Sequence, residues 1–273
     1  MGALRVNAEN AEFQIIQALK TNRAKRSKLH EIFIEGIECI KQAVKSNIEI
    51  TRIIVKNTGG LSNWGKNIVN EYNHVKIIEM PEKLYAKLAD KNDPSEMLVT
   101  AKIKQKTLDE IPGENPFIVI FDRPGDCGNL GSSIRSANAF NADGIFIVGH
   151  GVDLYESKVI RASMGSIFFT RIFQMESMAK LLEYVNMQKR RNNIEIIGTD
   201  SKGTLSLTDC KIEKPVLLII GNEAKGMSKN LAEICDKIVK IPLKGNVNSL
   251  NVSCAASIIM WEIFKNANQD APP

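Results

Sequence analysis

Short apolar runs alternate along this chain with segments whose apolar positions recur at a helical period. In the first hundred residues EIFIEG reads as a strand over 31–35, ITRIIVK over 50–56, VKIIE over 75–79 and MLVTAKI over 97–103. Between them GIECIKQAVKS predicts a helix over 36–46, and further helices are predicted near 9–23, 62–72 and 81–90. Such runs, bounded by Gly, Pro, Asn or Ser, are strand signals, and apolar residues three or four apart are helix signals. The polar stretch KQKTLDEIPGENP, 104–116, reads as the linker, placed at 106–116. Beyond it the alternation resumes, with strands predicted at 117–121, 144–149, 169–173, 194–199, 216–220 and 237–241. Helices are predicted at 131–141, 176–191, 228–235 and 250–266. Strands alternating with helices predict an α/β protein in two parts, a smaller domain over 1–105 and a larger one over 117–273.

The last helix departs from a simple amphipathic pattern. Apolar residues at 252, 255, 256, 259, 260 and 263 form one i, i+3, i+4 stripe, but Ile258 and Trp261 lie off it. The stripe alone would suit a monomer's core. A helix apolar on more than one face needs more than one cover, so a second subunit against this helix, in a C2 dimer, is expected.

Composition changes this picture little. With 273 residues and 44% apolar content, a full core is within reach without disulfides or metals. The net charge of +5 is compatible with a polyanionic partner without pointing to one. The five cysteines, Cys39, Cys127, Cys210, Cys235 and Cys254, form no C-x-x-C pair, and with only three histidines no zinc constellation can be assembled. Reduced thiols, no leader pattern and no apolar run approaching ~18 residues predict a soluble, cytoplasmic protein. The run KTNRAKRSK, 20–28, carries five positive charges. It reads either as a solvated face or as a phosphate-backbone contact.

Three segments do not behave as ordinary turns. In DRPGDCGNLGSSIRSANAF, Gly125, Gly128 and Gly131 stand three apart, which is not the dinucleotide-binding spacing, and the helix predicted at 131 opens among Asn129, Ser132, Ser133 and Arg135. VLLII then breaks into GNEAKGMS, where Gly221 and Gly226 bracket Glu223 and Ser228 can cap the next helix. Last, IPLKGNVNSLNVSCAA offers turn residues at Gly245, Asn246 and Asn248, with Ser249 as a helix cap.

Together these segments resemble the TrmH (SpoU) family of SPOUT methyltransferases. N-x-G-x-x-x-R-x-A falls on Asn129, Gly131, Arg135 and Ala137, and G-x-E-x-x-G on Gly221, Glu223 and Gly226. The third motif runs from Ile241 to Ala255. The match covers roughly 115–268, and the front half is similar to the family's RNA-binding extension. The resemblance implies a C-terminal SPOUT domain with a deep trefoil knot and a smaller N-terminal α/β RNA-binding domain. It implies methyl transfer from S-adenosylmethionine to a ribose 2′-hydroxyl of RNA by a homodimer, with no metal. Ribosomal (23S) RNA is expected ahead of tRNA. A non-catalytic RNA-binding protein on the same scaffold is the alternative of another class. The family's cofactor contacts fall on Gly221, Ile241 and Leu250, with Asn222, Leu243 and Gly245 beside them. Arg135 takes the place of the catalytic arginine, and Asn129, Glu223, Ser249 and Asn251 match polar positions that order the site. A guanidinium stays protonated in proteins, with a pKa above ~12. Arg135 is therefore expected to grip a phosphate and stabilise the developing alkoxide rather than to act as a base.

Overall fold

The computed structural model describes residues 3–90, 94–175 and 177–268. They form two compact units between which the chain is divided unevenly. The first comprises Met1–Gln105 together with Asp153–Phe168, the second Lys106–Val152 together with Phe169–Pro273.

In the first unit the strands are β1 (Leu4–Arg5), β2 (Glu31–Glu35), β3 (Ile50–Lys56), β4 (Lys76–Met80) and β5 (Met97–Lys102), ordered β1-β4-β3-β5-β2. β1, β4 and β3 run parallel, and β5 is antiparallel to both β3 and β2. The helices are α1 (Ala11–Thr21), α2 (Arg23–Leu29), α3 (Ile37–Lys45), α4 (Asn63–Glu71) and α5 (Glu82–Leu88). Asn10 and Ser62 cap α1 and α4 by accepting from the Phe13 and Gly65 N–H groups, which satisfies donors that a helix start leaves open. Phe13, Ile16 and Leu19 of α1 pack with Phe33, Ile78 and Tyr85 in the core.

Two charges of the basic run have structural duties. Arg26 is only 3% exposed. It donates to the Leu19 and Lys20 carbonyls and, through Nε at 2.8 Å, to Asp153. Lys20 pairs with Asp90 at 2.7 Å. Neither is the solvated or phosphate-facing charge that the run suggests, because the turn between α1 and α2 folds both side chains back onto the protein. Asp153 lies in the later segment of this unit, which also carries the short helix Ser157–Ala162 and a 3-10 turn over Ser166–Phe168. Arg161 of that helix reaches both Glu35 and Asp90.

The second unit is built on β6 (Phe117–Asp122), β7 (Gly144–Val148), β8 (Ile172–Met175), β9 (Glu195–Thr199), β10 (Leu205–Ser206), β11 (Val216–Ile220) and β12 (Lys237–Lys240). Their order is β10-β12-β9-β11-β6-β7-β8, and every pair is parallel. All positions of β6, β7 and β11 are buried. Strands covered on both faces read as unbroken apolar runs, which is why FIVIF, GIFIV and VLLII are so visible. The helices are α6 (Cys127–Ala139), α7 (the Ser157–Ala162 helix, lent to the first unit), α8 (Met178–Asn192), α9 (Lys229–Glu233) and α10 (Val252–Asn268). The Tyr184 ring of α8 stands edge-on to Phe146 at 4.8 Å.

Three expectations shift. The strand expected at 169–173 lies at Ile172–Met175, because Phe169 and Thr170 still belong to the turn that follows the 3-10 segment Ser166–Phe168. Glu176, where the helix of 176–191 was to open, lies outside the described residues. The segment expected as linker carries a 3-10 turn at Leu108–Glu110, closed by a Thr107–Glu110 capping box, and buries Ile111 in the core of the second unit.

Candidate active site

An all-parallel sheet brings the C-terminal ends of its strands to one edge. β7 and β8 lie to one side of β6, while β11 and β9 lie to the other. Connections leaving two neighbouring strands in opposite directions open a crevice at that edge, where open α/β sheets bind ligands. The segment from Asp122 to Arg135 leaves β6 there, and the segment from Gly221 to Ser228 leaves the adjacent β11.

The first segment is a helix start rather than a glycine loop. Asp126 accepts from the Asn129 N–H at 2.8 Å and α6 begins at Cys127, four residues before the predicted start. Gly128 and Gly131 are helical residues. The second segment doubles back: the Asn222 N–H donates to the Gly226 carbonyl at 3.0 Å and the Gly226 N–H to the Asn222 carbonyl at 2.9 Å. Gly221 is required by this fold-back, since a Cβ there would lie 2.6 Å from both Gly226 C and Met227 N. The third segment, 241–251, has no regular secondary structure until α10. Ile241 and Leu250 are half-buried, and Leu243, Gly245 and Ser249 are exposed. Ser249 is not the cap. Asn251 is, because its carbonyl accepts from the Ala255 N–H at 3.0 Å and its Oδ1 from the Ser253 N–H at 2.9 Å.

One hydrogen-bond chain joins the three segments. Glu223 Oε2 accepts from the Gly125 N–H at 3.0 Å and from Asn222 Nδ2 at 3.3 Å. Glu223 Oε1 accepts from Asn129 Nδ2 at 3.4 Å, and Asn129 Oδ1 accepts from Asn251 Nδ2 at 2.9 Å. Asn129, Gly221, Glu223 and Val252 also line one small pocket, with Phe121 and Ile220 behind them. Arg135, six residues on from Asn129 and so about 120° from it around the helix, is exposed and takes no part in the chain. Ser249, Leu243 and Gly245 likewise lie outside the chain and the pocket lining.

Two residues escape the motif reading. Asp122, buried at the end of β6, accepts two bonds from its neighbour Arg123 and one from the Ser228 N–H, and this pairing raises the Arg123 pKa. Their only trace in the sequence is an acidic residue beside a basic one at the end of an apolar run. Among the described residues no group of three His, Cys, Asp or Glu side chains could hold a metal ion, and no helix is long and apolar enough to cross a membrane.

Fold and site together define an α/β domain with a crevice at its switch point, where three separate polar segments of the chain meet. The chain belongs to the SpoU rRNA Methylase family, whose pattern matches residues 116–261, and residues 10–100 match the SpoU L30e-like domain. It is 34% identical over 266 residues, 96% of this chain and 92% of the relative, to the 23S rRNA (uridine(2479)-2′-O)-methyltransferase of Streptomyces viridochromogenes. The crystal structure of the SpoU methyltransferase AviRb from that organism, in complex with AdoMet, superposes with a TM-score of 0.87 at 34% identity, covering 94% of this chain and 97% of that one. An AdoMet-bound rRNA methyltransferase from Sinorhizobium meliloti shares the fold at 24% identity, with a TM-score of 0.82 over 99% of both chains.

Proposed function

We propose that this protein is a 2′-O-ribose methyltransferase that modifies ribosomal 23S RNA, using S-adenosylmethionine, and that it works in the cytoplasm as a homodimer. The observation that carries this reading is the Glu223–Asn129–Asn251 chain at the switch-point crevice, in a chain of this family. The residues present fit the cofactor. Gly221 lines the pocket, Phe121, Ile220 and Val252 give apolar walls, and Ser228 Oγ is buried with no partner among the described residues. When bound, S-adenosylmethionine supplies an electrophilic methyl group on a cationic sulfur.

The protein's own contribution is positioning and charge. Gly221, Asn222, Ile241 and Leu250, with Leu243 and Gly245 along the same strand of chain, are the residues we assign to cofactor binding. Glu223 is held by three donors, so it fixes the start of α6 against the cofactor loop. Holding the ribose oxygen in line with the methyl carbon lowers the barrier by several kcal/mol through orientation alone. Arg135 supplies the positive charge that grips the neighbouring phosphate and stabilises the emerging alkoxide, while the hydroxyl proton passes to that phosphate or to water. Arg135 is exposed and takes no part in the hydrogen-bond chain of its own subunit, and we infer that a second copy brings its Arg135 to the pocket. The surface for this copy includes Ile258 and Trp261 of α10, 39% and 48% exposed, and Trp261 joins Phe140 and Phe264 in an aromatic patch with ring centroids 5.7 to 5.9 Å apart. Apolar exposure of this kind marks an interaction site.

The test is methylation of total RNA by the full-length protein with methyl-labelled cofactor, followed by mapping. Label in the large ribosomal RNA at an alkali-resistant linkage is the expected result. Label confined to tRNA would move the substrate assignment, and no label with any RNA would favour a binding protein.

A further inference from the structure

Arg123 sits at the turn between β6 and α6 with φ 50°, a left-handed backbone that a residue with a side chain seldom adopts. Such a conformation persists only where the surroundings hold it, and here they do so on every side. Its N–H donates to the Val148 carbonyl at 2.8 Å, and its carbonyl accepts from Asn222 Nδ2 at 2.6 Å. Its guanidinium meets both oxygens of Asp122, with Nε to Oδ1 at 2.8 Å and Nη2 to Oδ2 at 2.9 Å. Nη2 also reaches the Gly226 carbonyl at 3.2 Å. Gly149, at φ 75°, makes room for this side chain, since a Cβ there would lie 2.7 Å from Arg123 Cγ. Asp122 in turn takes the Ser228 N–H at 2.6 Å.

The 221–227 loop is thus gripped at its start through Asn222, near its end through Gly226, and just beyond through Ser228, each time by Asp122 or Arg123. A solvated ion pair between neighbours would need neither the left-handed backbone nor the bond to Gly226. We propose that Arg123, braced by Asp122, is a positioning residue that sets the shape of the 221–227 loop for the cofactor. The role rests on the reading that this loop meets S-adenosylmethionine. Arg123 touches neither the methyl nor the ribose. It acts through the loop, turning the Gly226 carbonyl and holding Asn222 so that the fold-back over Gly221 is formed before the cofactor arrives. Preformed loops bind more tightly because less ordering is left to do on binding.

Titration calorimetry of S-adenosylmethionine into the full-length protein, without RNA, provides the test, alongside steady-state methylation and thermal melts. Arg123→Ala should weaken cofactor binding roughly tenfold, the worth of one charge-assisted hydrogen bond. The cofactor KM should rise in step, and kcat at saturating cofactor should stay within about threefold, since no bond made only in the transition state is lost. Arg123→Lys should recover part of the loss, because an ammonium reaches one acceptor but cannot fork onto the carboxylate and the carbonyl together. Affinity within about twofold of wild type in a folded Arg123→Ala protein overturns the proposal, whatever happens to its melting temperature. A fall in kcat with unchanged affinity also overturns it. If Arg123→Ala does not fold, Arg123→Lys carries the same readout, and wild-type affinity in it is the refuting result. Wild-type protein that binds no cofactor would overturn the reading of the loop and this proposal together.

Discussion

Two arginines show how far a single residue can be read. Arg135 stands out once the motif around it is seen, yet in the structure it is an exposed side chain outside the hydrogen-bond chain of the site. Arg26 looks like one more charge in a basic run, yet it is buried between two carbonyls and a carboxylate. Charge patterning cannot separate them, because burial is decided by where α2 turns back on α1. Replacing Arg26 with Met should cost about 3 kcal/mol of stability by leaving the mostly covered Asp153 carboxylate without its cation, measured by urea unfolding. Any RNA contact by the run would then fall to charges such as Lys25 and Lys28. Changing these two to Ala should weaken RNA binding and flatten its dependence on salt, as filter binding at several salt concentrations would show. Asp90 gives a pH signature. Burial by itself would raise its pKa, but the hydrogen bond and charge of Lys20, with Arg161 and Ser157, hold it below the usual carboxylate value. A depressed carboxylate stabilises the fold above its unfolded pKa of about 4, and that contribution is lost as the pH falls through the folded value. Asp90→Asn should therefore lower stability near neutral pH and leave a shallower loss in acid, read from unfolding at several pH values.

At the scale of elements, the sequence was legible wherever one signal dominated. Buried parallel strands such as β6 and β11 appear as solid apolar runs, and α1 and α10 show their stripes. It was illegible where two signals competed. Three glycines suggested a loop from 125 to 131, while Asp126, a good cap, had already started α6. Ser249 and Asn251 are both cap residues two positions apart, and only the position of the chain relative to Asn129 decides for Asn251. α7, six residues long, is too short to show a period. The fold-back of the 221–227 loop makes a sharp prediction. Gly221→Ala must push its methyl against the backbone at Gly226 and Met227, so the loop has to open. Cofactor affinity should fall at least roughly tenfold, about 1.4 kcal/mol or more, with secondary structure retained, as calorimetry and circular dichroism would report.

For the whole molecule, the expectation of two α/β parts was readable from the polar stretch at 104–116, but the allotment of chain to each was not. Residues 153–168 lie deep in the sequence of the second unit and pack in the first, a long-range pairing that no local pattern records. The dimer expected from α10 has its own check. Trp261→Glu should shift the mass in solution toward the monomer at micromolar concentration, by sedimentation or light scattering, and methylation should fall with it. A variant that stays dimeric and active would place the interface elsewhere.

The loan of residues 153–168 also sets an order of events for a chain made from one end to the other. When Gln105 leaves the ribosome every strand of the first unit has been made, yet Asp153, the partner of Arg26, and Arg161, the partner of Glu35, have not. They arrive only after β6 and β7 of the second unit have been synthesised. A nascent chain halted between those points would hold a first unit with buried charges still waiting for their counterions. The first unit can therefore be completed only once the chain has been made past Phe168, when β6 and β7 of the second unit already exist and β8 to β12 do not.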